Sequence, residues 1–199
     1  YLTLKAALPG VTKEMLQWMV AWQGLEPVHY MAINGEVHHS AAVSDLDREK
    51  IGRSFLSVEE KSEGIIVYTV DQIGGELYDD LTYYLSPADQ GLSLDRYVRS
   101  GAVTIGGTVL RQRHSETDPQ KKSLNIMVSV VRDTADGVEV QTHLWAGYKI
   151  LRREAKRFDV NGIQPTEESM AVLANYIADE WAQIGHVLPE LYREVHATA

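Results

Sequence analysis

Glu180 stands where a carboxylate is costly. From 166 to 188 the sequence TEESMAVLANYIADEWAQIGHVL carries Leu173, Ile177, Trp181, Ile184, Val187 and Leu188. At roughly 100° per residue these form one helical stripe about 120° wide. Glu180 falls near the middle of that stripe. Burying an unpaired carboxylate is expensive, so Glu180 must be paired, protonated or bound to a cation. Tyr176, four residues earlier, lies on the same side, near the stripe's edge. Asn175, Asp179 and His186 project to the opposite, solvated side.

Three further groups are candidates to meet Glu180. The chain has seven His, and His38-His39 is the only close pair. On a strand, neighbouring side chains point to opposite faces, so at most one of the two looks inward. Asp71 ends the run GIIVYTVDQ, in which Ile65, Val67, Thr69 and Asp71 share a face. If that face lines a cavity, Asp71 lies at its mouth. One His with Asp71, Glu180 and Tyr176 makes an oxygen- and imidazole-rich set that suits Zn, Mn or Fe. A buried Tyr–Glu hydrogen bond without a metal is the plainer use of the same residues. No HExxH, GxSxG, Walker or GxGxxG spacing occurs.

The elements that must carry these residues follow from turn signals and periodicity. Residues 1–8 read as an edge strand ended by Pro9-Gly10. Thr12 caps a short helix over 13–23. A strand over 27–33, the hairpin signal Asn34-Gly35 and a returning strand over 36–43 come next. Residues 44–62 form a polar connection with one short helix. Strands are expected over 64–72, 76–85, 101–112, 124–132 and 138–150, with a loop over 86–94 and a bulge or bend at Gly106-Gly107. The charged segment 151–158, with its basic cluster Arg152, Arg153, Lys156 and Arg157, leads through a turn at Asn161-Gly162 and Pro165 to the long helix. The order is a helix, six or seven antiparallel strands, then a long helix, without repeat or linker: one domain over 1–199. A curved antiparallel sheet has one face to bury, and a single long amphipathic helix covers it. The expected fold is α+β, a START-like helix-grip with a cavity between sheet and helix. An open sheet with a filled core is the alternative.

Composition narrows the function. The net charge of −9 over 199 residues argues against nucleic acid, which needs clustered Lys and Arg. No apolar run reaches membrane-spanning length, so no membrane partner is expected. There is no Cys, which removes disulfides and thiolate sites and suits a reducing, cytoplasmic setting. The N-terminus lacks signal-peptide features and does not begin with Met, as in a trimmed chain. Ten Tyr against two Phe suit a half-polar cavity, with Trp18, Trp22, Tyr83 and Trp145 as candidate lining. Pairing of two copies through long exposed strands is expected.

Five stretches carry a resemblance in order along nearly the whole chain: PGVTKEMLQWMVAWQG, HYMAINGEVHHS, TVDQIGG, VQTHLWAGYKI and YIADEWAQIGHVLPELY. They resemble the 2,4-diacetylphloroglucinol hydrolase and phloretin hydrolase family. The resemblance implies a START-like fold and hydrolysis of a carbon–carbon bond between an acyl group and a phenolic ring. It also implies a zinc ion held by two His and two Glu, and a further N-terminal segment in known members. Matched residue by residue, the first His falls on His38, the first Glu on Asp71, the last Glu on Glu180, and the helix His on Tyr176. Two readings follow. In one, His38, Asp71 and Glu180 hold the metal, with Tyr176 or water completing the shell, and His39 or Tyr30 is the acid for the leaving ring. In the other the metal is lost, and His38, Asp71, Tyr176 and Glu180 form a polar cluster for a cyclase, isomerase or lyase acting on a polyketide or phenol. A carrier of a small hydrophobic ligand is the non-enzymatic reading.

Overall fold

The computed structural model describes residues 1–118, 120–158 and 165–197. Strand β1 (Leu2–Pro9) turns at Gly10, which takes φ +75°. Helix α1 (Lys13–Trp22) starts on Thr12, whose hydroxyl accepts the Met15 N–H.

The next element corrects the expectation. Residues 27–34 are not a strand but helix α2 (Pro27–Asn34). Pro27 in the first turn has no N–H to waste and presets a helical φ. The residues this segment buries, Tyr30 and Ile33, are three apart, a helical spacing. Asn34-Gly35 therefore closes a helix rather than a hairpin, with Gly35 at φ −65° and ψ −7°.

Strand β2 (His38–Val43) is followed by α3 (Asp45–Gly52) and α4 (Val58–Ser62) in the polar connection. Strands β3 (Ile66–Ile73) and β4 (Glu76–Tyr84) form the hairpin around Gly74-Gly75. Helix α5 (Leu94–Ser100), unexpected from the sequence, precedes β5 (Val103–Arg113), β6 (Ser123–Asp133) and β7 (Gly137–Ala146). The long strand expected to reach 150 breaks at Gly147, which takes φ +80°. Beyond it β8 (Tyr148–Leu151) and β9 (Glu154–Arg157) pair as a separate hairpin that turns through Arg152 and Arg153, both at positive φ. The turn expected at Asn161-Gly162 lies outside the described residues.

Helix α6 (Glu167–Ala197) is longer than its apolar stripe announced and runs on through Pro189. That proline removes one N–H, the partner of the Gly185 carbonyl. No described helix is long and apolar enough to cross a membrane.

Seven strands form one sheet in the order β1-β7-β6-β5-β4-β3-β2, with every neighbouring pair antiparallel. β1 and β2 are opposite edges, so α1 and α2 carry the chain across one face. α6 packs on that same face, against β1 and α2. The main core joins Leu16 and Ile33 to Val131, Val140, Ile184 and Leu188 between helices and sheet. The architecture is α+β, a large antiparallel sheet with a long C-terminal helix.

Candidate active site

Three elements converge where α6 crosses the β2–β3 end of the sheet. His38 and Asp71 are direct cross-strand partners. A register shift between His38 and Ser40 makes a bulge. The bulge lets His38 and Ala41, three apart, both turn inward, which strict alternation forbids. His38 is 1% exposed, whereas His39 faces solvent. Helix α2 then contributes Tyr30 and Asn34 from successive turns, and α6 contributes Tyr176 and Glu180 in the same way.

Contacts among these six side chains are short. The Tyr30 hydroxyl donates to Asp71 Oδ1 at 2.6 Å, and the Tyr176 hydroxyl donates to the same oxygen at 3.2 Å. Thr69 donates to Asp71 Oδ2 at 2.7 Å. Asn34 Nδ2 donates to Glu180 Oε2 at 3.1 Å. The His38 ring stacks on Tyr30 at 3.7 Å between centroids, and its Nδ1 lies 3.0 Å from the Tyr30 carbonyl oxygen. A carbonyl only accepts, so Nδ1 carries a proton. The other nitrogen, Nε2, is 3.1 Å from Glu180 Oε1 and 3.9 Å from Asp71 Oδ1. Its angle to Glu180 is an ion-pair approach rather than a directed hydrogen bond, and Nε2 is buried without a hydrogen-bond partner among the described residues.

Tyr30, Asp71, Tyr176 and Glu180 of this cluster line a pocket of about 140 Å³ between the sheet and α6, with His38 and Asn34 behind them. In the same pocket Trp181 Nε1 donates to Thr142 Oγ1 at 2.8 Å, and Thr142 bonds Ser129 at 2.8 Å. That tether fixes the rotation of α6 and so aims the adjacent Glu180. A second, wider pocket of about 610 Å³ shares Arg111, Asn125 and Leu173 with the first.

A family model described as DAPG hydrolase PhiG domain matches residues 1–193. The chain belongs to this family. It is the family whose residues the five sequence stretches resembled. A search of curated proteins gave no significant match. Among the described residues no group of three or more His, Cys, Asp or Glu is arranged to hold a metal ion. His38, Asp71 and Glu180 are drawn together instead around one imidazole nitrogen.

Electrostatics set which of these groups carry protons. Burial lowers the His38 pKa, but Glu180, then Asp71 and the Tyr30 carbonyl, outweigh it and hold the imidazole above 6.5. Burial, then the Asp80 charge, raises Asp71 above the usual carboxylate value, against the hydrogen bonds from Tyr30 and Thr69. Tyr30 and Tyr176 are pushed well above 10.0, mainly by burial and then by neighbouring charges. Both phenols therefore stay protonated at neutral pH.

Of the expected site residues, His38, Asp71, Tyr176, Glu180 and Tyr30 are brought together, and His39 is not. The four aromatics expected to line the cavity do not line it. Trp18 and Trp22 stack on each other at 4.8 Å, with Trp18 against Tyr192. Tyr83 and Trp145 sit on the outer face of the sheet, 44% and 36% exposed. Sequence reasoning missed Asn34, hidden by the hairpin reading. It also missed the buried Asp80 and its partly buried cross-strand partner Arg111. Asp80 and Arg111 each fall on the inward phase of their own strand, a signal that strand alternation carried.

Proposed function

We propose that this chain is a hydrolase that cleaves the carbon–carbon bond joining an acyl group to a phenolic ring, with metal assistance. The observation that carries this is the His38–Glu180 contact: a buried imidazole nitrogen facing two carboxylates that line a pocket with two protonated phenols. Membership of the DAPG hydrolase PhiG domain family supports the reaction class. The sheet with its long covering helix supports the START-like helix-grip reading.

In this reading Glu180 takes a proton from water as the water oxygen attacks the acyl carbonyl carbon. Asn34 and His38 hold its two oxygens in place. The ring–acyl bond breaks with its electron pair passing to the ring. Tyr30 returns a proton to that ring carbon, and the proton that Glu180 took from water replaces it by way of His38 Nε2, which faces both Glu180 and Asp71, and of Asp71, bonded to the Tyr30 hydroxyl. The products are a carboxylic acid and a deacylated phenol. One imidazole and two carboxylates match a divalent ion such as zinc in donor chemistry; His38, Asp71 and Glu180 would hold it in place of the direct His38–Glu180 contact, an arrangement these side chains do not have here. When bound, such an ion supplies Lewis-acid polarisation of the acyl carbonyl.

A second reading, a metal-independent cyclase, isomerase or lyase on a phenolic or polyketide substrate, is favoured by one observation. A protonated His38 pairs with Glu180 at 3.1 Å as an ion pair, without a metal between them. The test is a panel of acylated phenols given to the protein and to Glu180→Gln. Acid and deacylated phenol released by the first and not by the second support the hydrolase. Conversion without acid release supports the second reading and sinks the first.

A further inference from the structure

We propose that Arg111 anchors an ionised phenolic oxygen of the substrate, so that the pocket takes acylated phenols as phenolates and Arg111 holds the charge that gathers on the ring as the acyl carbon leaves. This deepens the hydrolase reading and rests on it.

Arg111 lies on β5 directly opposite Asp80 on β4. Its Nε donates to the two Asp80 oxygens at 2.8 and 3.1 Å, and Nη2 donates to Oδ2. Asp80 thus occupies one edge of the guanidinium fork. Nη1 has no hydrogen-bond partner among the described residues, and an arginine carries five N–H donors. The side chain keeps 17% exposure against 6% for Asp80. Arg111 lines both pockets. The Tyr78 ring, with its centroid 5.6 Å from Cζ, braces the group. A partly buried, braced guanidinium with donors to spare is a built site for an anionic oxygen.

Its neighbours decide where an anion can lie. Asp71 from β3, Asp80 and Tyr84 from β4, and Tyr176 and Glu180 from α6 face the same pocket. Asp80 is bonded to Arg111, while Asp71 and Glu180 stand at the His38 end, so a negative ring oxygen finds spare N–H donors at the Arg111 end and two carboxylates at the other. Arg111, Tyr176 and Asp71 line the same pocket of about 140 Å³, and Tyr176 bonds Asp71, so one small aromatic ketone in that pocket faces both ends. Such a ligand lays its acyl carbonyl against Tyr30, Tyr176 and Glu180 and its ring oxygen on Arg111. Breaking the ring–acyl bond leaves an electron pair that delocalises onto ring oxygens, so the anchor binds the transition state more tightly than the ketone.

The test uses 4-nitrophenol, whose phenolate absorbs at longer wavelength than its phenol. The probe is titrated with the full chain at a pH where the free probe is protonated. The expected result is saturable growth of the phenolate band. Arg111→Met should lose that band and weaken binding by about 10- to 100-fold, the range for hydrogen bonds to charged groups; Arg111→Lys should keep the band with weaker binding. A bound probe that stays neutral, no saturable binding by the wild-type chain, or Arg111→Met binding the phenolate equally well would each overturn the proposal. The wild-type titration decides even if a variant fails to fold. No turnover is needed, so phenolate binding without acyl release defeats the hydrolase reading alone, and acyl release without phenolate binding defeats this proposal alone.

Discussion

Nε2 of His38 meets Oε1 of Glu180 at 3.1 Å, while Nδ1 of the same ring is held by the Tyr30 carbonyl. In metal-free protein this contact ties stability to pH. The folded pKa of His38 lies above 6.5, so the stabilisation is complete below pH 6.5 and fades as pH rises through the folded value. Asp71, also raised, acts in the same direction over a more acidic window that begins at 3.8. Denaturant unfolding of chelator-treated protein from about pH 5 to about pH 9 should show stability falling with pH, and His38→Gln should flatten that fall.

Tyrosine titration probes the wall of the pocket. Burial pushes Tyr84 up to about 12, against a hydrogen bond from Gln23. Its raised pKa gives stability that is present below pH 10.0 and lost as pH rises through about 12. In an alkaline absorbance titration, Tyr30, Tyr84 and Tyr176 should ionise among the last, with Tyr68 and Tyr97, and the three pocket tyrosines should ionise together with unfolding. Tyr84→Phe should move the unfolding midpoint to higher pH.

The Asp80–Arg111 pair is a structural commitment as well as a site. Asp80→Ala leaves a largely buried guanidinium without its partner and should cost about 3–5 kcal/mol in chemical denaturation. The double change Asp80→Leu with Arg111→Met should recover most of that loss. A single change that costs no more than a surface substitution would mean that Arg111 finds water instead.

Tyr176 is the point where this chain departs from the ligand pattern its family resemblance implies. Tyr176→His adds an imidazole one turn from Glu180. Zinc affinity, read by competition with a chromophoric chelator, should rise at least about tenfold, since imidazole is the better ligand. In the unaltered protein, elemental analysis after zinc supplementation should find about one ion per chain if metal assists the reaction. A substoichiometric content would leave the metal-independent reading.

How much of this was legible in the sequence depended on the kind of signal. The α6 stripe was regular enough to show Glu180 as misplaced, and of the residues expected to meet it His38 does; its other partner is Asn34, and Tyr176 bonds Asp71 instead. Helix α2 was misread because Asn34-Gly35 is the same dipeptide in a helix end and in a hairpin. Only the burial of Tyr30 and Ile33 against β2 and α6 decides between them. The bulge after His38 was invisible for a similar reason. It depends on register with β3, which is a property of two strands and not of one. Arg111 was passed over because it looked like an ordinary strand-end arginine until Asp80 was seen opposite it. The aromatic lining was wrong in a different way, because amphipathic rings serve equally well at a pocket and on an outer sheet face.

The central claim is that Glu180 drives water onto an acyl carbonyl. It is tested most directly by running the reaction on an acylated phenol in heavy-oxygen water and weighing the acid released. The account predicts one heavy oxygen in the acid, none in the deacylated phenol, and a rate reduced by about a hundredfold or more in Glu180→Gln. Acid without the heavy oxygen, a rearranged ring with no acid, or full activity in Glu180→Gln would contradict it.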